Sequence, residues 1–351
     1  MADVSSYYAF NPSHALPIAF TALIGVSLAL HIWQNFRYRY WRVTFFMCWG
    51  GLVFTSGWIM RAVSSYEVGN LHFYAAQYVL VLCGPPIYSA AEYNVLGRLL
   101  LYLPMHSPIH PRRIMYFFIY LGAAVESLTA AGGARMAVAK NDKAQVQSGA
   151  ALVAAASVLQ VAVECCFISM VAMLHRRIVR ARMLTPDIRK ICTMLYGTST
   201  FILIRSAYRA VEKFSILETL GSGVCEGTCN TVLRHEWYLY AFEAAPMVLY
   251  TWWINLVHPG RYLPSNPNIY LGYDKVERCG PGWVDRRSAW QTFADPFDWV
   301  GLLTGKTNHE KFWEHQDDYP IYVKTSKANG RELARTEEIY RQVFKVQATT
   351  S

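Results

Sequence analysis

The stretch ALPIAFTALIGVSLALHIWQ, residues 15–34, contains twenty consecutive residues without an Asp, Glu, Lys or Arg. A helix needs about 20 mainly apolar residues to cross a hydrocarbon core of about 30 Å, so this run has the length of one crossing. The 351-residue chain is 53% hydrophobic and only 16% charged, a balance that is unusual for a soluble domain. The sequence therefore predicts an integral membrane protein.

Seven mainly apolar stretches of about this length or longer, of which this is the first, predict an all-α bundle of seven transmembrane helices. Their approximate bounds are residues 15–34, 43–63, 71–101, 114–138, 148–174, 191–211 and 237–257. Pro85-Pro86 lies near the middle of the third stretch, where a lost backbone hydrogen bond predicts a kink. The predicted domains are an extracellular N-terminus (1–14), the transmembrane domain (15–257) and a cytosolic tail (258–351).

Lys and Arg are concentrated in alternate loops. Segments 35–42, 102–113 and 175–190 hold eleven of them, whereas the N-terminus and segments 64–70, 139–147 and 213–236 hold four. By the positive-inside rule, the N-terminus faces outward and the tail is cytosolic. The N-terminus lacks the basic region of a cleaved signal, so we expect the first helix to be its own anchor. The plasma membrane is the expected location, with internal membranes as the alternative.

Several classes of site are not expected. The tail segment GLLTGKT, residues 301–307, has three residues between its glycines where a phosphate loop needs four, so ATP binding is not expected. A net charge of +9, largely on the cytosolic loops, suits an anionic membrane surface better than nucleic acid. No metal-ligand spacing and no cofactor motif stand out. Cys225 and Cys229 lie in an outward loop, where an oxidising compartment permits a disulfide.

The sixth span carries ionised residues on one face. FILIRSAYRAVEKF, residues 201–214, spaces Arg205, Arg209 and Glu212 at i, i+4 and i+7. The seventh span begins near Glu236 and places Glu243 about 10 Å deeper, from a rise of 1.5 Å per residue. An ionised side chain near the bilayer centre costs roughly 2.5–3.5 kcal/mol, so such groups face the bundle interior and pair. We expect Arg205 to pair with Glu243, and Arg209 with Glu236 or Glu212.

Two interpretations of these pairs compete: they only lock spans six and seven in register, or they border a polar pocket. Arg61 ends the second span, and Glu92, Glu126 and Glu164 lie deeper in spans three, four and five. These carboxylates exceed what one helix-pair lock needs. They favour a cavity between helices for a molecule with a polar head and an apolar body. Candidate lining residues are Tyr88, Tyr93, Met247, Tyr250, Trp252 and Trp253.

Three segments carry a resemblance to a known family: PPIYSAAEYNVLGRLL (85–100), LYGTSTFILIRSAYRAVE (195–212) and HEWYLYAFEAAPM (235–247), with HPG following at 258–260. Over about residues 7–262 the chain resembles the fungal RTA-like family, seven-span proteins also called lipid-translocating exporters and associated with aminocholesterol resistance. The matching positions are Tyr93, Leu96, Gly97, Arg98, Arg205, Arg209, Glu212, Glu236, Tyr240, Glu243, His258, Pro259 and Gly260, together with Gly57, Trp58, Arg61 and Gln160.

The resemblance implies a membrane protein that moves sphingoid bases, sterol-like amphiphiles, porphyrins or a related isoprenoid metabolite, with a link to drug resistance. Three positions depart from the family pattern: Phe54 stands where a Glu is usual, and Gly122 and Thr129 stand where an Asp and a Gln are usual. Glu126 and Glu164 are acids that the family pattern lacks. We therefore expect a conserved scaffold with different pocket chemistry.

Two other classes of protein remain open. In a membrane enzyme, Glu126 and Glu164 would be the catalytic acids that protonate an isoprenoid epoxide or alkene, because burial keeps a carboxyl group protonated. A seven-helix receptor or light sensor is the second alternative. The last span, WYLYAFEAAPMVLYTWWINLV, has no Lys for a retinal Schiff base.

Overall fold

The computed structural model describes residues 7–8, 10–107, 110–139, 142–222, 228–283, 288–295, 299–304 and 311–322. Eight helices occupy residues 15–256. They are α1 (Ala15–Tyr38), α2 (Trp41–Tyr66), α3 (Leu71–Tyr102), α4 (Pro111–Val138), α5 (Lys143–Arg180), α6 (Pro186–Ser222), α7 (Thr228–Arg234) and α8, in which Trp237–Leu239, a π-helical turn at Tyr240–Ala244 and Ala245–Leu256 follow one another. The predicted all-α architecture is confirmed.

After α8 the described chain contains shorter elements. They are 3-10 turns at Pro259–Arg261 and Phe312–Asp318, strands β1 (Ile269–Leu271) and β2 (Glu277–Cys279), and helices α9 (Ala289–Ala294) and α10 (Trp299–Thr304). The two strands form an antiparallel hairpin in which Tyr270 is paired with Arg278. A further 3-10 turn, Pro104–His106, follows α3.

Polar residues mark several helix ends. The Asn70 side chain accepts a hydrogen bond from the backbone N–H of His72 at the start of α3, and Asp142 accepts from Ala144 and Gln145 at the start of α5. Such caps satisfy backbone donors that the first turn of a helix leaves unpaired. At its other end α1 stops at Arg39, which has a left-handed backbone conformation with φ of 52°.

The long helices form a closed ring. Each helix from α1 to α6 contacts the next one along the chain, and α8 contacts both α6 and α1. α3 also contacts α6 across the ring, so α3 lies at the centre of the bundle. We call the end at which α1 begins, α2 ends and α8 begins the network end, and the opposite end the tail end.

On α1, polar side chains face the bundle interior and large apolar side chains face outward. On α1 the buried residues include His31, Gln34 and Asn35, while Val26 and Phe36 are exposed. Such a surface suits lipid contact. Among the described residues, four helices are long and apolar enough to cross a membrane: Ala15–Tyr38, Trp41–Tyr66, Arg113–Val138 and Lys143–Arg180. The chain is a helical membrane protein.

α3, α6 and α8 carry six of the ten Asp, Glu, Lys and Arg residues that are buried in the described part of the chain, and they are not among those four helices. Seven crossings and their orientation therefore stay predictions.

Small residues allow two helices to approach closely. A Cβ atom on Gly132 of α4 would lie 2.7 Å from the carbonyl oxygen of Gly149 on α5, and one on Gly149 would lie 2.8 Å from that of Gly132. A side chain at either position would therefore push the two backbones apart. The two glycines belong to the small-residue segments TAAGGARM (129–136) and SGAALVAAAS (148–157), and runs of small residues usually allow close helix approach in membranes.

The chain after α8 folds against the tail end of α3. Arg98 donates to the carbonyl oxygens of Pro264, at 2.8 Å, and Asn266, and Tyr102 donates to Glu277 at 2.8 Å. A small apolar cluster consists of Tyr270, Trp283, Phe312 and Trp313. Residues 259–283 and 311–322 are therefore structurally continuous with the bundle, which the compositional boundary at residue 258 did not indicate.

Candidate functional site

Buried ion pairs connect α2, α6 and α8 at the network end. We call the set Arg61, Arg205, Arg209, Glu212, Lys213, Glu236 and Glu243 the charged network. Each acid in the set lies within 3.0 Å of at least one basic nitrogen. Because the α6 members share one helical face, a single stripe of α6 supplies four of the seven side chains.

Glu243 is the centre of the network. Its side chain is completely buried, and its two oxygens accept from different guanidinium groups: Arg205 Nε at 2.9 Å and Arg209 Nε at 2.8 Å. The predicted contact between Arg205 and Glu243 is thus present. One carboxylate with two cations leaves an excess positive charge, which the next acid along α6 neutralises.

That acid is Glu212. It accepts from Arg209 Nη1 at 2.7 Å and lies 3.0 Å from Lys213 Nζ, and Lys213 also donates to the Tyr78 hydroxyl of α3 at 2.8 Å. The sequence interpretation left out Lys213, which is fully buried. Its position four residues after Arg209 was the signal, because this spacing continues the charged stripe.

Arg61 completes the network from α2. Its Nη2 donates to Glu236 at 2.7 Å, and the same carboxylate accepts from the Tyr240 hydroxyl at 3.0 Å and the Ser13 backbone N–H at 2.8 Å. Of the two partners expected for Arg209, the structure has Glu212, whereas Glu236 is taken by Arg61. The alternative pairing of Arg209 with Glu236 is wrong, since Arg61 lies nearer.

Two prolines change the backbone of α3 and α8 beside the charged network. Pro86 has no N–H to donate to the carbonyl of Leu82 four residues earlier, and Arg205 Nη2 donates to that oxygen at 3.0 Å. In α8, Pro246 lies two residues after the π-helical turn that contains Glu243. A π turn adds a residue to the helix and changes which side chains share a face. Arg205 therefore ties α3, α6 and α8 together.

A cavity of about 290 Å³ opens beside the network. Five network members lie in its wall, and aromatic side chains from the N-terminal segment and α3 face them. The lining residues are Tyr7, Tyr8, Phe10, Arg61, Tyr74, Gln77, Tyr78, Val81, Met136, Tyr208, Arg209, Glu212, Lys213, Ile216, Val232, Leu233, His235, Glu236 and Leu239. We call it the network cavity.

The cavity wall is both charged and aromatic. The guanidinium carbon of Arg61 lies 5.2 Å from the centre of the Tyr8 ring, and Lys213 Nζ lies 5.2 Å from that of Tyr78. A cation over an aromatic ring is stabilised by the negative face of the ring. The site therefore presents fixed charges of both signs beside flat apolar surfaces.

A second group of polar side chains lies deeper in the bundle, where α3, α5 and α6 meet. Glu92 accepts from the Ser199 hydroxyl at 2.8 Å, and Glu164 accepts from the Tyr93 hydroxyl at 3.0 Å and Gln160 Nε2 at 2.8 Å. Ser199 is also within hydrogen-bonding reach of Glu164. We call Glu92 and Glu164 the mid-bundle pair.

Other predicted site residues do not join either group. Glu126 lies partly exposed on α4 beside Cys83, away from the neighbours of Glu164. Arg98 binds tail carbonyls instead of a pocket. The aromatic and sulfur-bearing residues proposed as lining do not line the network cavity. They are Tyr88, Tyr93, Met247, Tyr250, Trp252 and Trp253.

The sequence assigned these residues to a substrate pocket or an ion-pair network, and the structure distributes them over separate groups. The groups separate because Glu92 lies ten residues after Leu82 on α3, about 15 Å further along the helix. Cys225 and the side chain of Cys229 lie outside the described residues, so their disulfide stays a prediction. Within the described part of the chain, no three His, Cys, Asp or Glu side chains are grouped to hold a metal ion.

Comparison with known proteins agrees with this architecture. The sequence profile of the family described as RTA1 like protein matches residues 47–266. The chain belongs to the RTA1-like family. The matched region contains every member of the charged network and the mid-bundle pair.

The chain is similar to several fungal proteins. A lipid-translocating exporter-like protein of Leptosphaeria maculans is 32% identical over 81% of this chain and 57% of its own length. One of Ajellomyces capsulatus is 26% identical over 73% and 81%. Protoporphyrin uptake protein 1 of Saccharomyces cerevisiae is 30% identical over 55% and 61%. The chain thus spans little more than half of the Leptosphaeria relative, and no solved structure matches it.

Proposed function

We propose that the protein is a transporter that moves an amphiphilic, lipid-like molecule across or between the leaflets of a membrane. Seven helices cross the bilayer in this proposal: α1 to α6 and α8. The N-terminus and the network end face outward and the tail is cytosolic, as the loop charges predict. The plasma membrane is the proposed location, and export of toxic amphiphiles would then lead to drug resistance.

The observation that carries the proposal is the network cavity. A bundle of membrane helices has no structural need for a cavity of about 290 Å³ bordered by three cations and two acids. Ligand sites combine apolar walls with a few fixed polar groups, and this cavity does so. Its charges are already paired with one another, so a polar headgroup can exchange one partner for another without leaving a buried charge unpaired.

The volume limits which part of a ligand fits. Sites that enclose a whole drug-sized molecule usually measure about 300–1,000 Å³. The network cavity is at the lower end of that range. We infer that it takes the polar headgroup, while the apolar body stays between helices or in lipid. Relatives are named for lipids and for a porphyrin, so candidate cargoes are sphingoid bases, sterol-like compounds, porphyrins and isoprenoid metabolites.

The experiment uses the purified full chain in lipid vesicles. Fluorescent probes are a labelled sphingoid base, a labelled sterol and protoporphyrin, and the measurement is the rate at which each crosses the membrane compared with empty vesicles. We expect faster crossing for at least one probe. Equal rates with and without protein for all three would contradict the proposal.

A matched pair of variants tests the site. Ile216 lines the cavity from α6, whereas Val211 on the same helix is 46% exposed on the outer surface. Ile216→Trp fills the cavity and should abolish the transport, and Val211→Trp adds the same side chain toward lipid and should keep it. Glu126→Gln should also keep it, because Glu126 does not line the cavity. If Val211→Trp abolished transport and Ile216→Trp did not, the transport route would lie outside the network cavity.

A further inference from the structure

The mid-bundle pair holds two acids without a cation. Glu92 and Glu164 are both 0% exposed. Among the described residues no Lys, Arg or His forms an ion pair with either of them. The next cation along α6, Arg205, is held by Glu243 and the carbonyl oxygen of Leu82. The acids of the network have cations, and these two do not.

The surroundings of the pair offer too few hydrogen-bond donors for its oxygens. Glu92 Oε1, Glu164 Oε2 and Gln160 Oε1 are buried and have no hydrogen-bond partner. Gln160 is 2% exposed, and its amide nitrogen donates to Glu164 at 2.8 Å and to Ser89 at 3.0 Å, so its side chain lies against the pair. Three orphaned oxygens in one place are all acceptors, which is the pattern of a site that lacks a positively charged or protonated ligand.

The titratable groups around the pair are phenols. Tyr93 donates to Glu164, and Tyr250 of α8 is within hydrogen-bonding reach of Glu92 while donating to the Tyr88 carbonyl at 2.9 Å. α4 contributes the ring of Phe118, which stacks on Tyr93. α6 contributes the hydroxyls of Ser199 and Thr198. None of these neighbours carries positive charge.

Electrostatics favours a bound proton at this place. Two carboxylates that share a site repel each other, and burial removes the water that would stabilise them, so at least one binds a proton. A carboxylic acid then has an O–H to donate, and an orphaned oxygen of the partner acid or of Gln160 can accept it. A proton thus removes a buried charge and satisfies an acceptor in one step.

We propose that Glu92 and Glu164 form a proton-binding site in the middle of the bundle, and that this proton is the coupling ion of transport. The assignment of this proton as the coupling ion rests on the proposed function. The pair spans α3 and α5, with Ser199 from α6, and α3 and α6 also supply Tyr78 and Lys213 to the network cavity. A shift of these helices that opens or closes the cavity changes the separation of the two acids, and with it their hold on the proton.

The proton site is tested by infrared difference spectroscopy of the purified full chain, titrated from acid to alkaline pH without any cargo. A protonated buried carboxyl group has a carbonyl stretching band that a carboxylate lacks. We expect such a band near neutral pH, lost or shifted in both Glu92→Gln and Glu164→Gln and kept in Glu218→Gln, an exposed acid of α6. A wild-type spectrum without the band, or a band that survives both substitutions, overturns the proposal.

Sodium chloride added at constant pH separates the proton from a metal cation. The expected result is an unchanged band. Loss of the band on adding Na⁺ would show that a metal ion occupies the oxygens, and would overturn the assignment to a proton. Should either Gln variant fail to fold, the pH titration of the wild type still decides whether a buried carboxylic acid is present.

Coupling is tested in vesicles with whichever fluorescent probe the wild type transports. For one proton per molecule, a gradient of one pH unit changes the final accumulation ratio about tenfold. We expect this dependence in the wild type and its loss in Glu92→Gln and Glu164→Gln. Accumulation that ignores the gradient overturns the coupling. An infrared band without transport of any probe supports the proton site and contradicts the proposed function, so the two failures are distinguishable.

Discussion

The charged network and the mid-bundle pair lie in one bundle but treat buried charge in opposite ways. In the network, three acids meet four cations at distances of 2.7–3.0 Å. In the mid-bundle pair, two acids meet only hydroxyl and amide donors. The contrast indicates that the contacts of the network stabilise ionised side chains, whereas the contacts of the mid-bundle pair suit acids of which at least one is neutral.

The difference has a consequence for stability. Removing one partner from a buried ion pair leaves the other charge uncompensated, which is strongly destabilising. Neutralising an acid that has no cation removes a repulsion instead. The same Glu→Gln substitution should therefore cost much less stability in the mid-bundle pair than in the charged network.

The largest effect is expected for Glu243→Gln. Arg205 and Arg209 would both lose their shared anion while buried, at a cost of about 3–5 kcal/mol in the free energy of unfolding. Thermal unfolding of the detergent-solubilised protein measures the change, with Glu218→Gln as the control. A melting temperature equal to that of the wild type would show that the pairs around Glu243 do not stabilise the fold.

A direct test of pairing follows from the same site. Arg205→Glu places two acids together and should destabilise strongly, and adding Glu243→Arg should restore only part of the loss, because Arg209 then faces a second cation. The coupling free energy from the double-mutant cycle is the measured quantity. Additive losses in the single and double variants would argue against a direct interaction.

A smaller loss is expected for Arg61→Met. Glu236 keeps its hydrogen bonds from Tyr240 and Ser13 and loses only the charge-assisted bond to Arg61. The contact of Arg61 with the Tyr8 ring is lost as well, and we expect a total cost of about 1.5–3 kcal/mol. Arg135→Met is the matched control, since Arg135 is exposed at the same end of the bundle. Equal unfolding temperatures for the two variants would show that the pair between Arg61 and Glu236 does not stabilise the fold.

Glu92→Gln should change stability by no more than about 1 kcal/mol in either direction, because it removes a charge that has no cation. The measurement is the same thermal unfolding, compared with Glu243→Gln. A loss as large as that of Glu243→Gln would mean that the ionised form of Glu92 stabilises the fold, and the contrast between the two regions would disappear.

The smallest effect is expected for Glu126→Gln, within about 0.5 kcal/mol, because Glu126 is partly exposed and has no ion-pair partner among the described residues. Thermal unfolding at neutral pH measures it. A larger loss would indicate that Glu126 stabilises Arg205 from a distance, as the sign of their charges permits.

Much of the fold was predictable because hydrophobic length is a local property. Runs of about 20 apolar residues predict membrane helices wherever they occur. The contact of Arg205 with Glu243 was also predictable, because consecutive antiparallel helices bring equal depths together.

The rest depends on contacts that spacing does not encode. Glu92 and Glu164 lie on helices α3 and α5, and nothing local shows that α3 passes through the centre of the bundle. The π-helical turn before Pro246 changes the face of Glu243 relative to Glu236. The hairpin at 269–279 depends on Arg98 and Tyr102 of α3, so the composition of the tail alone did not predict it.

Pro86 has a consequence of its own. A residue that cannot donate leaves the Leu82 oxygen vacant, and a cation from another helix fills the vacancy. In Pro86→Ala, the new backbone N–H would donate to the Leu82 oxygen and complete the helical hydrogen bond in α3. Arg205 would then lose this acceptor. A defect in one helix thus serves as an anchoring point for another, so a substitution that improves local helix formation would loosen the assembly.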